Sequence, residues 1–159
     1  MDLFKKYSFL GAILDMDGVK NPVMMEDVMR AFNELHDGSK KVVVVLIHKP
    51  ECPHCRKYYS QFNELCDRIP GLCGDRGEAM AIDFDDADES MKDETEFVPR
   101  VIFSASNGDG TVTKRDLDER TRSIDTILPM IQEIMNSQST TSSSLDEDTT
   151  PVITLTPMK

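Results

Sequence analysis

The fold is decided by residues 41–70, which read KVVVVLIHKPECPHCRKYYSQFNELCDRIP. Residues 42–47 form an unbroken apolar run, and five of these six side chains are β-branched. Such side chains are stiff at χ1 and suit a pleated strand. Because no polar residue alternates within the run, it predicts a strand covered on both faces, as in the middle of an α/β sheet.

The period of the apolar residues changes after Pro53, from a continuous run to a spacing of three or four residues. Residues with this spacing lie on one stripe of a helix; they are Cys55, Tyr58, Tyr59, Phe62, Leu65, Cys66 and Ile69. Pro53 fits the first helical turn, where no backbone donor is needed. The pair Pro70-Gly71 predicts the end of this helix.

The two cysteines at the start of this helix occupy positions with different chemistry. Cys52 falls at the N-cap, where free backbone N–H groups and the positive end of the helix dipole favour an anion. A thiolate is such an anion, and it is the nucleophilic form of cysteine. Cys55 begins the apolar stripe, so we expect it to be shielded. One exposed sulfur of low pKa and one buried resolving sulfur are what dithiol–disulfide exchange requires.

Three further side chains around the cysteines bear on the thiolate. His54 is the second spacer residue, where a nearby imidazolium favours thiolate, although a merely solvated histidine is the alternative. Arg56 adds positive potential, and Glu51 opposes it.

Cys66 and Cys73 could bridge across the helix end, or Cys66 is a core residue and Cys73 a loop thiol.

Composition and charge narrow the class of protein. The chain has 159 residues, which predicts one domain, and a net charge of −11, which argues against nucleic acid or an anionic membrane as partner. Lys5-Lys6 and the apolar residues 7–14 imitate a signal peptide, but Asp15 follows without a cleavage site. The carboxyl end is not an ER-retention signal. We therefore expect a cytoplasmic protein, in which Cys-x-x-Cys implies a catalytic dithiol.

The remaining elements before the middle of the chain are predicted from shorter patterns. Residues 11–14 read as a first strand, and Asn21-Pro22 as an N-cap and first-turn proline. The helix that follows has an apolar stripe ending near Asp37-Gly38; the stripe comprises Met24, Met25, Val28, Ala31, Phe32 and Leu35. Residues 72–77 read as loop, 79–82 as a buried strand, and 83–96 as an acidic segment with a short surface helix.

The second half of the chain begins with residues 97–103, a strand with Pro99 near its entrance. Residues 107–110, NGDG, predict a hairpin, and 111–113 the returning strand. A last helix starts near Asp125, with Pro129 in its first turn. We expect a lead-in over 1–9, a domain over 10–136, and a disordered Ser/Thr-rich acidic tail over 137–159.

This order of strands and helices, with Cys-x-x-Cys opening the central helix, resembles the thioredoxin superfamily over about residues 10–136. Three details are most similar to the protein disulfide isomerase branch: Pro50 two residues before the first cysteine, residues 83–85 (DFD), and residues 119–121 (ERT). The Pro53-His54 spacer is similar to that of bacterial periplasmic disulfide oxidants. The resemblance implies an α/β thioredoxin fold, with a central mixed sheet and helices on both faces.

The resemblance also implies roles for a segment distant in sequence. Pro99 matches the family's cis-proline, which faces the cysteines and helps to bind extended substrate, so Val98, Pro99 and Arg100 are candidate substrate-binding residues. Arg100 is also a candidate source of positive potential, with a plain surface charge as the alternative. Two positions depart from the family pattern. Leu46 stands where a buried acid often serves proton transfer, and Ala81 stands where a lysine often partners that acid.

Alternative interpretations come from other classes. A redox-inactive thioredoxin-like module would use the Val98-Pro99 groove to hold a protein partner. A zinc site is disfavoured because the spacing of Cys66 and Cys73 does not resemble a ribbon or finger. Residues 12–19, AILDMDGV, resemble the first motif of haloacid-dehalogenase-type phosphatases, in which Asp15 would be the nucleophile and Asp17 the general acid/base. A first strand ending in an Asp/Gly turn is the simpler interpretation.

The hypothesis that best fits the sequence is a thiol–disulfide oxidoreductase. Cys52 is the attacking sulfur, Cys55 the resolving sulfur, and Pro53, His54, Glu51 and Arg56 their supports. Its partners would be protein thiols and disulfides, together with a reductase or oxidant that recycles the dithiol. We expect a monomer that needs no metal or organic cofactor.

Overall fold

A mixed four-stranded sheet lies at the centre of the part of the chain that the computed structural model describes, residues 18–143. Its strands are β1 (Val42–His48), β2 (Gly77–Asp83), β3 (Arg100–Ser106) and β4 (Val112–Leu117). The order across the sheet is β2-β1-β3-β4, with β1 and β2 parallel and the other two pairs antiparallel. The predicted strand over residues 11–14 and the phosphatase-like Asp15 and Asp17 lie outside the described residues.

Strand β1 is buried along its whole length, as its unbroken apolar run predicts. One set of alternate side chains, Val42, Val44 and Leu46, packs with α2 (Pro53–Cys73) and α4 (Ile124–Ser143). The other set packs with α1 (Met25–His36) on the opposite face. Helices therefore cover both faces of the sheet, and the prediction of a mixed sheet between two helical layers is confirmed.

The segment before α1 pairs with the outer edge of β2 instead of starting the helix. The Val23 N–H donates to the Ala81 carbonyl at 2.8 Å, and the Ala81 N–H donates to the Asn21 carbonyl at 3.1 Å. Asn21 takes a left-handed conformation, with φ of 53°. The prediction of an N-cap at Asn21 is therefore wrong, because its backbone already bonds to the sheet.

Helix α1 begins at Met25, and the Met24 N–H donates to the Asp27 carboxylate at 3.1 Å. This bond satisfies a backbone donor at the helix start. Three members of the predicted stripe, Val28, Ala31 and Leu35, are fully buried. The helix ends at His36, before Asp37 and Gly38, as predicted.

Helix α2 has Cys52 as its N-cap and Pro53 in its first turn, as the sequence predicts. It continues through Pro70 to Cys73, so the predicted end at Pro70-Gly71 is wrong. Pro70 lies on the exposed face near the helix end, so its ring faces solvent and only one backbone donor, the one that would bond to the Cys66 carbonyl, is lost. The helix ends at Gly74, whose φ of 61° suits glycine and whose N–H donates to the Pro70 carbonyl. A 3₁₀ turn at Gly74–Arg76 leads directly into β2.

The acidic segment after β2 contains a 3₁₀ turn, Phe84–Asp86, and the short helix α3, Glu89–Glu94. The Asp88 carboxylate caps α3 by accepting from the Met91 N–H at 2.8 Å. The predicted surface helix is confirmed. Strand β3 begins at Arg100, three residues later than predicted, directly after a cis Val98–Pro99 bond.

The hairpin at residues 107–110 is confirmed, and β4 runs further than predicted, to Leu117. Helix α4 begins at Ile124, whose N–H donates to the Gln61 side chain on α2 at 3.0 Å. Pro129 therefore lies in the second turn, not the first. This is tolerated because Pro129 and Asp125, whose carbonyl loses its donor, are both exposed.

Helix α4 continues to Ser143, past residue 136, where we placed the domain boundary. Ile127 and Ile131 anchor the helix in the core. Once such a helix is formed, each further residue adds one backbone hydrogen bond. Ser and Thr have only moderately unfavourable helix propensities, so they do not prevent the helix from continuing. No helix within residues 18–143 has the length and apolarity needed to span a bilayer.

Candidate active site

Cys52 and Cys55 lie at the first turn of α2, with Cys52 partly exposed and Cys55 fully buried. Both are free thiols. The backbone N–H of Cys55 lowers the pKa of Cys52, with smaller contributions from the Cys55 thiol, the His54 N–H and the Arg56 charge. Partial burial opposes this shift. The helix start therefore stabilises the Cys52 thiolate through donors that fold into place only with the helix.

Cys55 has the opposite chemistry. Burial raises its pKa to about 11, and the Lys49 N–H, which donates to the sulfur at 3.5 Å, acts against this increase. Proximity to Cys52 raises the value further, whereas the Arg122 charge lowers it. At neutral pH the pair thus consists of a thiolate-prone sulfur at the surface and a protonated sulfur beneath it.

A histidine–tyrosine pair lies next to the buried thiol. His48 ends β1 and Tyr59 lies one helical turn after Cys55 on the same face of α2. The His48 Nδ1 and the Tyr59 hydroxyl are 2.7 Å apart, and the rings meet edge to face at 5.4 Å between centroids. Both side chains are buried. The hydrogen bond thus joins the end of β1 to the buried face of α2 that also carries Cys55.

Burial shifts both members of this pair toward their neutral forms. It lowers the pKa of His48, although the charges of Asp83 and Glu51 act in the opposite direction. Burial raises the pKa of Tyr59 to about 12, and the charges of Cys55 and Asp83 add to the increase. The effect of the Cys55 charge on the pKa of Tyr59 places the phenol within electrostatic reach of the resolving sulfur.

Arg122 approaches the site from the turn before α4. Its guanidinium lies over the Tyr58 ring at 5.6 Å from the centroid, and its carbonyl accepts a hydrogen bond from the Tyr58 hydroxyl. This contact joins α2 to a residue 64 positions later. It holds a positive charge near Cys55 that the sequence did not identify.

The floor of the site is apolar. Leu46 and Ala81 pair across β1 and β2, and both are buried. These are the positions where the family resemblance leads one to expect an acid and a lysine. The structure thus has an alkyl pair there, which supplies neither a proton acceptor nor a charge.

The four predicted support residues are exposed around the thiols: Glu51, Pro53, His54 and Arg56. Arg56 Nη1 donates to the Pro50 carbonyl at 3.2 Å, which holds its charge beside Cys52. Among the contacts that the structure gives Cys52, His54 contributes its backbone N–H. The charge of Glu51 acts to raise the pKa of His48, and the sequence did not indicate a link between these two residues.

The predicted substrate segment borders a groove of about 450 Å³. Pro99 is buried at the groove wall, and Val98 is half-buried between the two core clusters. Arg100 points along β3 toward β4, where it forms a bidentate contact with Asp116 at 2.6 and 3.1 Å. This carboxylate, which raises the pKa of Arg100, holds the arginine in place, so its charge is not among those that act on Cys52 or Cys55. The side chain of Phe97 is 79% exposed at the groove.

Cys66 and Cys73 are free thiols and lie on the same helix. Seven residues of α-helix separate their Cα atoms by about 10.5 Å, whereas a disulfide needs less than about 7 Å. The possibility of a bridge between them is excluded as long as α2 is intact. Cys73 is also buried in the helix rather than exposed in a loop.

Sequence reasoning missed three groups at the site: His48, Tyr59 and Arg122. The sequence placed Tyr59 only on the apolar stripe and gave His48, which follows the predicted strand, no role at the site. Their pairing has one available signal, because a residue at the carboxyl end of β1 faces the first turns of the helix that follows it. Arg122 has no comparable signal, since its contact depends on how α4 packs.

Comparison with solved structures identifies the fold. The chain is similar to chloroplastic thioredoxin z (TM-score 0.52, 12% identity, covering 74% of this chain and 95% of that one). It is also similar to the Trx4 domain of ERdj5 (0.55, 19%, 74% and 96%). A third similar structure is the first thioredoxin domain of mouse protein disulfide-isomerase A4 (0.52, 15%, 74% and 80%).

No family model matches the sequence, and a search of curated proteins finds no match either. At identities this low, the structural likeness establishes the fold and not the activity. The sheet order, the two helical layers and the position of Cys52 and Cys55 at the start of α2 agree with that likeness. The chain has a thioredoxin fold.

Proposed function

We propose that this protein is a thiol–disulfide oxidoreductase that exchanges disulfides with protein substrates through Cys52 and Cys55. The observation that carries the proposal is the opposite shift of the two thiol pKa values within one helical turn. Cys52 is partly exposed with a lowered pKa, whereas Cys55 is buried with a pKa of about 11. This division gives one sulfur that attacks and one that waits until a mixed disulfide has formed.

In the reducing direction, the Cys52 thiolate attacks one sulfur of a substrate disulfide. The substrate S–S bond breaks, one substrate sulfur leaves as a thiolate, and a Cys52–substrate disulfide forms. Cys55 then loses its proton and attacks the Cys52 sulfur, which releases the second substrate thiolate. The substrate gains two electrons and the protein is left with a Cys52–Cys55 disulfide. The oxidising direction is the reverse, and a separate reductase or oxidant restores the starting state.

Substrate backbone would bind along the groove beside Val98 and Pro99, with Arg100 as a wall held by Asp116. Phe97 offers an exposed aromatic surface there. The sequence resemblance favours the protein disulfide isomerase branch. We also propose that the protein is monomeric and cytoplasmic and that it uses no metal or organic cofactor. Nucleic acid and membrane are not proposed as partners.

The test is a comparison of Cys52→Ser and Cys55→Ser after challenge with a protein disulfide substrate. Cys52→Ser should abolish exchange, whereas Cys55→Ser should accumulate a mixed disulfide because the first step remains. Non-reducing gels and mass spectrometry identify the trapped cysteine. Cys66→Ser serves as the matched control, since Cys66 lies on the same helix but away from its start. Equal trapping by both active-site variants would contradict the assigned roles.

The lowered pKa of Cys52 also predicts the redox poise. Stabilising the thiolate stabilises the reduced form, which makes the disulfide a stronger oxidant. We expect a reduction potential above that of thioredoxin, which is about −270 mV. Equilibration with glutathione buffers, followed by alkylation, measures it. A value at or below that of thioredoxin would indicate a reductase.

The second candidate is a redox-inactive module that binds a protein partner through the same groove. The exposed Phe97 ring next to Pro99 is the observation that favours it, because a large apolar side chain at a groove is typical of an interaction surface. Thiol counting after mild oxidation separates the two candidates. An oxidoreductase loses Cys52 and Cys55 together and reversibly, whereas a binding module keeps both thiols.

A further inference from the structure

Resolution of the mixed disulfide requires a proton to leave Cys55, and this requirement rests on the proposed function. With a pKa of about 11, only about one Cys55 in ten thousand is a thiolate at pH 7. The residue is fully buried, so bulk water does not contact it directly. Leu46 and Ala81 beneath it cannot accept a proton. The proton must therefore pass to another neighbouring group.

The geometry points to His48 and Tyr59. Tyr59 follows Cys55 by four residues on the buried face of α2, the spacing at which helix side chains are neighbours. His48 is joined to Tyr59 by the 2.7 Å hydrogen bond. The residue after His48, Lys49, donates its N–H to the Cys55 sulfur. The carboxyl end of β1 and the first turns of α2 thus bring the thiol, the phenol and the imidazole together.

The pair also reaches a cavity from which a proton can leave. An open cavity of about 490 Å³ is lined by both His48 and Tyr59 and by three carboxylates, Asp27, Asp83 and Asp86. The charge of Asp83 acts on both members of the pair. A route therefore exists from the buried thiol, through the two rings, to acidic groups at an open surface.

We propose that the His48–Tyr59 pair is the proton acceptor for Cys55 during resolution. In the tautomer with its proton on Nε2, His48 accepts from the Tyr59 hydroxyl at Nδ1. The Cys55 proton passes to the Tyr59 oxygen as the phenolic proton moves to His48 Nδ1. The Cys55 thiolate attacks the Cys52 sulfur and the substrate thiolate leaves. The imidazolium then releases its Nε2 proton into the carboxylate-lined cavity, which leaves a neutral pair with the ring proton on Nδ1. Exchange of the ring proton with water in the open cavity returns His48 to the starting tautomer.

Several charged and titratable groups face the His48–Tyr59 pair, and their ionisation contributes to the pH dependence of the resolution rate. They are Cys52, Cys55 and Arg56 on α2, Glu51 before it, Asp83 at the end of β2, and the cavity carboxylates Asp27 and Asp86. Burial keeps His48 neutral near pH 7 despite these carboxylates, so it can accept a proton there.

The test uses the full-length reduced protein and Ellman's reagent as the disulfide. Attack by Cys52 releases one coloured thiolate, and attack by Cys55 on the resulting mixed disulfide releases a second. Stopped-flow absorbance gives the two rates separately, and mass spectrometry assigns the labelled cysteine. The variants are Tyr59→Phe, which removes the hydroxyl, and His48→Asn, which can still accept a hydrogen bond but is not basic near neutrality.

We expect both variants to slow the second release at pH 7 by at least about tenfold, as loss of general base catalysis does, without changing the first release. The deficit should shrink as pH rises toward the pKa of Cys55, because a growing share of the Cys55 thiol is then already ionised and needs no proton acceptor. Cys66→Ser is the control, since Cys66 is a half-buried side chain on the same helix that lies away from its start. It should leave both rates unchanged.

Two results would overturn the inference alone. Unchanged second release in both variants would show that the pair does not accept the proton, and an equal slowing at every pH would show that its role is only structural. If the unmodified protein releases a single equivalent, Cys55 does not resolve the mixed disulfide. That outcome would overturn the proposed function itself.

Discussion

Burial of the Cys55 thiol should make the protein lose stability as pH rises above 9. The pKa of Cys55 is about 11 in the folded protein, against 9.0 for an unperturbed thiol. A group whose pKa is raised by folding stabilises the folded state fully below its unfolded pKa. This contribution is lost as pH rises from the unfolded value through the folded one, because the unfolded chain releases its proton first.

The magnitude follows from these two values. At pH 10 most unfolded chains have an ionised Cys55 and most folded molecules do not, and the free energy of unfolding falls by about 1.4 kcal/mol relative to pH 8. Cys66, with a pKa also near 11, and Tyr59 add to the total loss in the alkaline range. The contribution of Cys55 must therefore be measured as a difference between two proteins.

Cys55→Ser provides that difference, because serine keeps the size of the side chain but does not titrate in this range. Urea unfolding under reducing conditions gives the free energy of unfolding of both proteins at pH 8 and pH 10. The fall between the two pH values should be smaller in Cys55→Ser by this same amount, about 1.4 kcal/mol. Cys66→Ser controls for a buried thiol away from the site. An identical fall in the unmodified protein and Cys55→Ser would show that the Cys55 thiol is not shifted by burial, and the two-sulfur argument would lose its basis.

Three further predictions concern the apolar floor, the sheet and the groove. Leu46→Asp should lower the free energy of unfolding by about 2–7 kcal/mol, because a carboxyl is buried without a partner. Residue 81 pairs with residue 46 across β1 and β2, so adding Ala81→Lys to Leu46→Asp should recover part of the lost free energy of unfolding, as measured by urea unfolding. If none is recovered, the two side chains do not meet. Ser104→Ala should raise the free energy of unfolding by about 1 kcal/mol, because the Ser104 hydroxyl is buried without a hydrogen-bond partner. Thermal melting measures the change, and a lower melting temperature in the variant would contradict the prediction. Disulfide peptides flanked by lysine should react faster than glutamate-flanked ones, because the carboxylates that line the groove outnumber its two arginines, Arg100 and Arg122; these carboxylates are Glu94, Glu96, Asp116, Asp118 and Glu119. The ratio should collapse in about 0.5 M salt, and a ratio that salt does not change would rule out charge as its cause.

The centre of the fold follows from local sequence because its determinants are local. The β-branched run of β1, the N-cap at Cys52 and the stripe of α2 lie within about 30 consecutive residues. The helix ends were predicted less well, since proline acts through both the helix and its surroundings. Pro70 and Pro129 each remove a backbone donor, but both proline rings lie on the exposed faces of their helices. Exposure at a given turn depends on packing, which local sequence does not specify.

For the candidate site, too, the features set by local sequence were predicted and those set by tertiary packing were not. The roles of Cys52 and Cys55 depend on one helical turn, and the pKa directions agree with their predicted chemistry. Arg122 meets the site only through tertiary packing, by a contact with Tyr58 across 64 residues. The pairing of His48 with Tyr59 spans only 11 residues, but it depends on how closely α2 packs against the carboxyl end of β1. Charge and polarity alone gave no means of choosing these partners.

The pairing of residues 21–23 with β2 has a consequence for self-association. An unpaired strand edge offers N–H and carbonyl groups to another chain, which is the usual start of intermolecular sheet formation. The bonds from Val23 and to Asn21 occupy both backbone groups of Ala81 at this edge. At the opposite edge, β4 is short and carries the charged residues 114–116. The pairing at Ala81 and the charges on β4 therefore both oppose extension of the described sheet by a second molecule, and they limit association through strands while Cys52 stays partly exposed.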